Sequence, residues 1–445
     1  MTQTLSEALA AFCVHTSLAD LGEAQAAHAR DAFLNWIGCA IGGAKTSTVE
    51  TAARAYRAID PAGTDAVLGR DDRHGIIAAI SLDCLSSATL AYDDTHLETV
   101  LHPTGPVAAA LLGLARRQRL TGVDLIEALL IGMEVECRIG LAFASAGTGA
   151  NGGWYATGLA GGIGAAAAVG KVLGFDEDRM LNAFGIAAAR ASGNRGTHGS
   201  MAGQYVPSIA AESGYIAARM AEAGFTCGSR ALDGRGGLLE LVAPAPAIAR
   251  ALRGLGAVSE AARTAFKPYP TGIITHPVID ACLALAAQHG VQADEISALH
   301  VAISPTAFAL GSGKYPQDVF AAQVSIAFWA AVALVFGRIE TWHTQERVLQ
   351  DPTIAGLQAK ISLSVSPDLS VGQCRATATL NGAGSIEIEV ANAVGSAERP
   401  MTRAEISAKF HALVTPASSP DRAQRLHHAC TDILELDDVA RILIL

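Results

Sequence analysis

Acidic, hydroxyl and imidazole side chains are concentrated between residues 93 and 102 of this chain. Asp93-Asp94-Thr95-His96 is followed by His102-Pro103-Thr104-Gly105-Pro106, within an otherwise apolar, alanine-rich region. Polar groups in such surroundings cost desolvation free energy unless they are paired or used. Loops of acids and histidines between buried helices are common places for acid–base chemistry. The segment therefore predicts a proton-transfer site, although a solvated loop that caps the next helix explains the same residues equally well.

Three other positions carry groups suited to the same chemistry. Lys267 precedes a Pro-Tyr-Pro run at a predicted domain junction, where burial would favour the neutral amine that acts as a base. Arg195 and His198 lie in a polar loop that is rich in glycine. The guanidinium group of an arginine suits bidentate binding of a carboxylate. Tyr155 begins an apolar helix. Each has an ordinary alternative: a surface lysine that ends a helix, an exposed loop, or a tyrosine at an interface.

Composition limits the class of protein. The chain of 445 residues is 50% hydrophobic, 17% charged and 5% aromatic, so alanine and glycine supply much of the apolar content and favour closely packed helices. Its length favours two domains. A formal net charge of −10, without any run of Lys or Arg, argues against nucleic-acid binding. The eight cysteines form no C-x-x-C pair and the N-terminus lacks signal-peptide features, so we expect reduced thiols and a cytoplasmic protein.

The hydrophobic pattern predicts a mainly α fold with two domains. Helical periodicity runs through most of the first 252 residues, whereas strand signals appear after residue 298. Two alternating runs, 375–380 and 385–390, flank a glycine-rich turn and predict a hairpin. We therefore predict a large all-helical domain from residues 1–265 and 401–445, and a smaller α+β lid domain from residues 266–400 inserted between them.

One uncharged stretch, residues 319–337, approaches the length of a membrane span. It contains Gln323 and Ser325 and has no companion span. We therefore predict a single helix buried in the protein core, and no membrane association.

Three short motifs could indicate a cofactor, metal or nucleophile site, but none lies in the sequence context that such a site requires. The glycine-rich run 157–164 lacks the preceding strand and the downstream residues of a nucleotide site, so we interpret it as close helix packing. His96 and His102 are six residues apart and no H-E-x-x-H occurs, so no metal site is predicted. Ser200 follows Gly199, but the G-x-S-x-G pattern and the strand-to-helix turn that carries the nucleophile of many serine hydrolases are both missing, so no serine hydrolase is predicted.

Five sequence blocks together resemble the MmgE/PrpD family. The resemblance covers nearly the whole chain and implies a large helical domain, a smaller α+β lid domain and a homodimer. It also implies a small polycarboxylate substrate and no metal or organic cofactor. The blocks are Ala91-Tyr92-Asp93-Asp94-Thr95-His96, His102-Pro103-Thr104-Gly105, Gly152-Gly153-Trp154-Tyr155-Ala156-Thr157-Gly158, Gly199-Ser200-Met201 and Lys267-Pro268-Tyr269-Pro270.

At several positions this chain differs from the dehydratase and decarboxylase members of the family that it resembles. Those members carry a histidine where this chain has Tyr155, and a lysine shortly after the Gly-Ser-Met block, where this chain reads Ala202-Gly203-Gln204-Tyr205. They also carry a histidine at the position of Val206 and a tyrosine at that of Phe328. Several acid–base groups linked to loss of water or carbon dioxide are thus missing, which resembles the epimerase branch.

We therefore expect an isomerase of the iminodisuccinate epimerase type. It would abstract the proton α to a carboxylate and return it to the opposite face, which needs a base and an acid on opposite sides. A lyase acting on a tricarboxylate, a 2-methylcitrate dehydratase or a cis-aconitate decarboxylase, is the alternative. A non-catalytic small-acid binding protein is a third possibility. The expected catalytic residues are Lys267, Tyr155 and His102, and the expected substrate-binding residues are Asp94, Thr95, Arg195, His198, Tyr269 and His276.

Overall fold

Helices make up most of the computed structural model, which describes residues 4–143, 153–243, 246–382 and 384–445. The predicted mainly α class is therefore confirmed. The chain divides into two compact units: a large unit of residues 1–89, 93–266 and 402–445, and a small unit of residues 90–92 and 267–401. The role of the small unit as a lid stays a prediction.

The first part of the large unit is a series of helices interrupted by two pairs of very short strands. In chain order its elements are α1 Leu5–His15, α2 Leu18–Leu21, α3 Glu23–Gly43, α4 Ser47–Ile59, β1 Asp65–Ala66, β2 Arg73–His74, α5 Ile76–Ala88, β3 Asp94–His96, α6 Thr104–Ala115, α7 Gly122–Phe143, α8 Ala156–Val172, α9 Glu177–Ala189, α10 Met201–Glu222, α11 Leu238–Val242, α12 Ile248–Leu252 and β4 Thr264–Phe266.

Helices α7 and α8 form the centre of this unit. Both are buried over most of their length, and α8 packs against α7 and α10. Their close approach depends on small residues: a Cβ added at Gly164 would lie 2.6 Å from the Gly132 carbonyl oxygen and 2.8 Å from the Glu136 Cβ. The glycine-rich run 157–164 therefore serves helix packing, as its sequence context predicts.

Replacing Gly164 with alanine is expected to destabilise the large unit by about 1–3 kcal/mol, because the backbone of α7 cannot move away from the new methyl group. Gly162 of the same helix is the matched control, since a Cβ there meets nothing closer than 3.3 Å. Gly162→Ala should change stability by less than about 1 kcal/mol, because the better helix propensity of alanine offsets mild crowding. Urea unfolding of the two variants tests this, and equal losses would contradict it.

The large unit is not entirely helical, contrary to the sequence-based expectation. Strand β1 pairs with β2, and strand β3 pairs antiparallel with β4, with Asp94 opposite Phe266. These strands have two or three residues each, so they leave no alternating pattern in the sequence. The β3–β4 pair fixes the start of the acidic and imidazole segment.

The small unit is built on a four-stranded sheet with the strand order β6-β5-β7-β8. Strand β5 is parallel to β6 and antiparallel to β7, and β7 and β8 form the predicted hairpin, whose turn residue 383 lies outside the described residues. The elements are α13 His276–His289, β5 Ile296–Ile303, α14 Pro305–Gly311, α15 Val319–Val324, α16 Ile326–Phe336, α17 Glu346–Leu349, α18 Pro352–Ala359, β6 Ile361–Val365, β7 Cys374–Leu380 and β8 Ser385–Val390.

The uncharged stretch 319–337 is two helices, α15 and α16, and the prediction of one helix was wrong. Ser325 separates them: its Oγ donates to the Gly313 carbonyl oxygen at 2.7 Å and accepts from the Phe328 amide at 3.3 Å, as an N-cap does. Among the described residues, no helix combines the length and the apolar character that crossing a bilayer requires.

Two C-terminal helices, α19 Arg403–Ala417 and α20 Pro420–Thr431, belong to the large unit. Thr402 and Glu405 form a capping box at the start of α19, and their Thr-x-x-Glu spacing is the sequence signature of this cap. Helix α19 packs against α3 and α20. The chain therefore returns to the large unit after the small one.

Candidate active site

The carboxylate of Asp94 is fixed at the beginning of α6. Its Oδ2 accepts hydrogen bonds from the Thr104 hydroxyl at 2.6 Å and from the Thr104 amide at 3.3 Å. Asp94 is only 1% exposed, so these bonds and the positive end of the helix dipole replace water around its charge. This arrangement suits a rigid anion that orients its neighbours.

His102 is held so that one of its ring nitrogens has a fixed role. Its Nδ1 lies 2.8 Å from the carbonyl oxygen of Asp94, 3.2 Å from the hydroxyl of Thr95 and 3.4 Å from a carboxylate oxygen of Asp93. A carbonyl oxygen only accepts, so Nδ1 is the donor. In the neutral ring the lone pair is then on Nε2, the nitrogen able to take or give a proton. The His102 amide donates to the Thr157 hydroxyl at 3.1 Å, which ties the residue to α8.

Tyr155 and Arg195 are brought together by a local backbone pairing. The Tyr155 amide donates to the Gly193 carbonyl oxygen at 3.2 Å, and the Arg195 amide donates to that of Gly153 at 2.7 Å. The Tyr155 ring lies edge-on to His102, with ring centroids 6.3 Å apart, and its centroid is 4.7 Å from that of His198. The large unit therefore brings together His102, Tyr155, His198 and Arg195.

Electrostatics keep two of these groups neutral and one positive. Burial, followed by the charge of Asp93, raises the pKa of Tyr155, so its phenol keeps its proton. Burial lowers the pKa of His198, whose Nδ1 donates to the Arg195 carbonyl oxygen at 3.1 Å. Burial also lowers the pKa of Arg195, but a guanidinium stays charged at any working pH. The cluster thus offers one cation beside neutral hydrogen-bonding groups.

Three of the sequence-predicted site residues belong to the small unit. Lys267 is the first residue of its main segment and is 2% exposed. The Tyr269 hydroxyl donates to Asp280 Oδ1 at 2.7 Å, and burial raises the pKa of both groups. His276 is fully buried, with its ring edge-on to Tyr269 at a centroid distance of 5.3 Å. Tyr269 and His276 are therefore neighbours, and the phenol of Tyr269 serves to hold Asp280.

Some residues that shape the cluster were missing from the predicted site. Asp93 and Thr157 contact His102 as described above, although both lie within the blocks that the sequence singles out. Glu136 is fully buried in α7, and its carboxyl group interacts electrostatically with Asp94. Its signal in the sequence is a glutamate in an apolar helix that has no cation three or four residues away, unlike Glu134, which has Arg138.

Clusters of imidazole, thiol and carboxylate side chains are the usual ligand sets of protein-bound metal ions. Within the part of the chain that the structure describes, no group of three or more His, Cys, Asp and Glu side chains is arranged to hold a metal ion. The eight cysteines are free thiols, of which Cys227 is half-buried and the others are buried.

The fold and the cluster define a mainly α protein with a pre-oriented imidazole at the start of two buried helices. The chain belongs to the MmgE/PrpD family: residues 7–250 match the MmgE/PrpD N-terminal domain and residues 269–433 match the C-terminal domain. The resemblance in the sequence blocks is thereby confirmed.

Several curated relatives are similar over most of the chain. The chain is 25% identical to the cis-aconitate decarboxylase of Aspergillus terreus over 439 residues, which cover 92% of this chain and 89% of the relative. It is 25% identical to a cis-aconitate decarboxylase-like protein of Aspergillus oryzae over 94% of this chain and 92% of the relative. It is 24% identical to human cis-aconitate decarboxylase over 79% of this chain and 75% of the relative.

The names of these relatives contradict the expected epimerase. They are lyases, so the prediction of an isomerase acting on iminodisuccinate was wrong, and the alternative that the sequence left open is better supported. The error arose because residues at single positions, such as Tyr155 and Val206, were taken as evidence for the epimerase branch of the family. His198 supplies an imidazole next to Tyr155 from another part of the chain, which a comparison position by position overlooks.

Proposed function

We propose that this protein is a lyase that acts on a small tricarboxylate, of the cis-aconitate decarboxylase type. The observation that carries the proposal is its similarity to proteins of that name over 92% of the chain, spanning both family domains. At 25% identity this similarity supports a reaction class, and the substrate must be tested directly.

Decarboxylation of such a substrate makes definite demands on the protein. A carbon–carbon bond breaks, carbon dioxide leaves, and the electron pair that remains is delocalised over the alkene and a neighbouring carboxylate. A proton is then added to carbon. The site must therefore bind the remaining carboxylates, stabilise the developing negative charge and supply a proton.

The residues of the large unit can be assigned to these tasks. We propose that Arg195 binds a carboxylate, whose negative charge favours a proton on Nε2 of His198, so that His198 then donates a further hydrogen bond. His102 exchanges the proton through Nε2, and the neutral phenol of Tyr155 donates a hydrogen bond to the developing negative charge. Asp94 and Thr95 are buried and bonded within their own segment, so their proposed role changes from substrate binding to the positioning of His102.

The expectations for the small unit and for assembly stay proposals. We propose Lys267 as a catalytic residue, with Tyr269 and His276 contributing to substrate binding. We also propose a homodimer, which light scattering of the purified protein would test.

The decisive experiment is turnover of candidate tricarboxylates. The purified protein is incubated separately with cis-aconitate and 2-methylcitrate, while released carbon dioxide is measured and products are followed by proton NMR in heavy water. Carbon dioxide and an unsaturated dicarboxylate from cis-aconitate are expected, with deuterium at the newly protonated carbon. Loss of water from 2-methylcitrate without carbon dioxide release would replace the decarboxylase by a dehydratase. Turnover of neither compound would contradict the proposal.

Replacing Arg195 with methionine is expected to raise KM for cis-aconitate at least about tenfold, because a charge-assisted pair with a carboxylate is lost. The fall in kcat should be smaller, since the pair is present in both the ground and the transition state. Arg190→Met is the matched control, because Arg190 is exposed at the end of α9. Steady-state kinetics of both variants test this, and an unchanged KM for Arg195→Met would remove Arg195 from substrate binding.

A further inference from the structure

Glu136 is a carboxyl group in an unusual position in α7. It is 0% exposed, and neither carboxyl oxygen has a hydrogen-bond partner among the described residues. Glu134, two residues earlier, is also buried but is bonded to Arg138 and to the Ala261 amide. An ionised carboxylate without such partners is very unfavourable in a protein interior. The difference indicates that the two acids are in different protonation states.

Helix α8 packs closely against α7 at Glu136. A Cβ at Gly164 of α8 would lie 2.8 Å from the Glu136 Cβ, so the two helices meet directly at this residue. Among the described residues, titratable groups that interact with Glu136 include Asp94 from β3, Cys84 from α5, Tyr155 before α8 and Cys137 from its own helix. None of these four groups is a cation. Burial and then the charge of Asp94 raise the pKa of Glu136.

Hydrogen bonding favours Asp94 as the charged member of this pair of acids. Two hydrogen bonds from Thr104 stabilise its carboxylate, whereas Glu136 receives none. We propose that Glu136 is a positioning residue of the site, which keeps its proton so that the neighbouring Asp94 carboxylate can stay on Thr104 and hold His102 in place. Its neutral carboxyl dipole partly compensates the Asp94 charge in this buried, low-dielectric region.

The consequence of losing the Glu136 proton follows from the same geometry. Two carboxylates in a dry interior repel strongly. The residue whose displacement matters is Asp94, because its carbonyl oxygen accepts from Nδ1 of His102. Deprotonation of Glu136 would therefore disturb the imidazole, and activity would fall on the alkaline side of the pH profile.

Stability measurements test the held proton without any substrate. An acid whose folded-state pKa is raised binds its proton more tightly in the folded state, so it makes stability fall as pH rises above the ordinary glutamate pKa of about 4.3. Glu136→Gln cannot ionise and escapes this loss. Its melting temperature relative to wild type should therefore rise by at least about 3 °C between pH 5 and pH 9. A difference that does not change with pH would overturn the proposal.

Glu127→Gln is the matched control for this experiment. Glu127 lies on the same helix but is partly exposed, 3.3 Å from Lys171 and bonded to the Leu18 amide. It pairs with a cation, so its replacement should lower stability similarly at pH 5 and at pH 9. A rising difference for both variants would show a general effect of charge removal and overturn the assignment to Glu136.

Kinetics test the positioning role, and this part alone rests on the proposed decarboxylase function. Glu136→Gln should keep kcat within about threefold of the wild-type value at neutral pH. The alkaline limb of its pH profile for kcat should lie at least about one pH unit higher than that of the wild type. Glu136→Leu has no dipole to offset the Asp94 charge, so kcat should fall at least about tenfold with little change in KM. A fully active leucine variant, or an unmoved alkaline limb in the glutamine variant, would overturn the positioning role. If the wild type turns over no tricarboxylate, the stability series still decides whether Glu136 holds its proton.

Discussion

Replacing His102 with glutamine is expected to lower kcat for cis-aconitate by about 10²–10⁴-fold, the contribution usual for a positioned acid–base group. Glutamine keeps a hydrogen-bond donor near the Asp94 carbonyl oxygen and the Thr95 hydroxyl, so the segment should retain its fold. It offers no group that exchanges a proton near neutral pH. The loss should therefore appear in kcat, with KM changed much less, in steady-state measurements of carbon dioxide release.

The control for this variant is His289→Gln, because His289 is exposed at the end of α13. It should retain wild-type kinetics. Circular dichroism and melting temperature of His102→Gln are needed alongside, since Thr157 and Asp94 both bond to this residue. A folded His102→Gln protein with more than about a tenth of wild-type kcat would exclude His102 as the proton-exchanging residue.

Regular helices were the predictable part of this fold. Long apolar helices such as α7 and the capping box at Thr402 leave clear periodic or local signals, and the structure has both. The strand pair β3–β4 leaves none, because two three-residue segments about 170 positions apart define each other only by pairing. The break at Ser325 was missed for a related reason: its hydroxyl bonds Gly313, a contact that only the tertiary structure creates.

The candidate site was predictable in composition but not in detail. His102 could be singled out because imidazoles are rare in apolar surroundings, yet the donor role of Nδ1 depends on the Asp94 carbonyl oxygen. Glu136 was missed because what sets it apart is that its carboxyl oxygens have no hydrogen-bond partner among the described residues, which only the structure reveals. The reaction was misassigned because a substitution at one position, Tyr155, says little when His198 lies beside it.

A buried ion pair supports the segment that carries β4. Arg138 is 0% exposed, and its Nε donates to Glu134 at 2.6 Å. Its Nη1 donates to the Ala251 carbonyl oxygen at 2.6 Å and its Nη2 to that of Val258 at 2.7 Å. The partner carboxylate of Glu134 also accepts from the Ala261 amide at 2.8 Å. These bonds tie the chain that leads into β4 to α7, and β4 in turn pairs with the strand that contains Asp94.

Replacing Arg138 with methionine is expected to lower the free energy of unfolding by about 3–5 kcal/mol, because Glu134 would be left as a buried, unpaired charge and three carbonyl oxygens would lose their donor. Urea unfolding measures the loss. The double variant Glu134→Gln with Arg138→Met should recover part of it, since the uncompensated carboxylate is removed. Arg219→Met is the control, because the Arg219–Glu222 pair is partly exposed, and its loss should stay within about 0.5 kcal/mol. A loss below about 1 kcal/mol for Arg138→Met would show that the ion pair does not anchor β4.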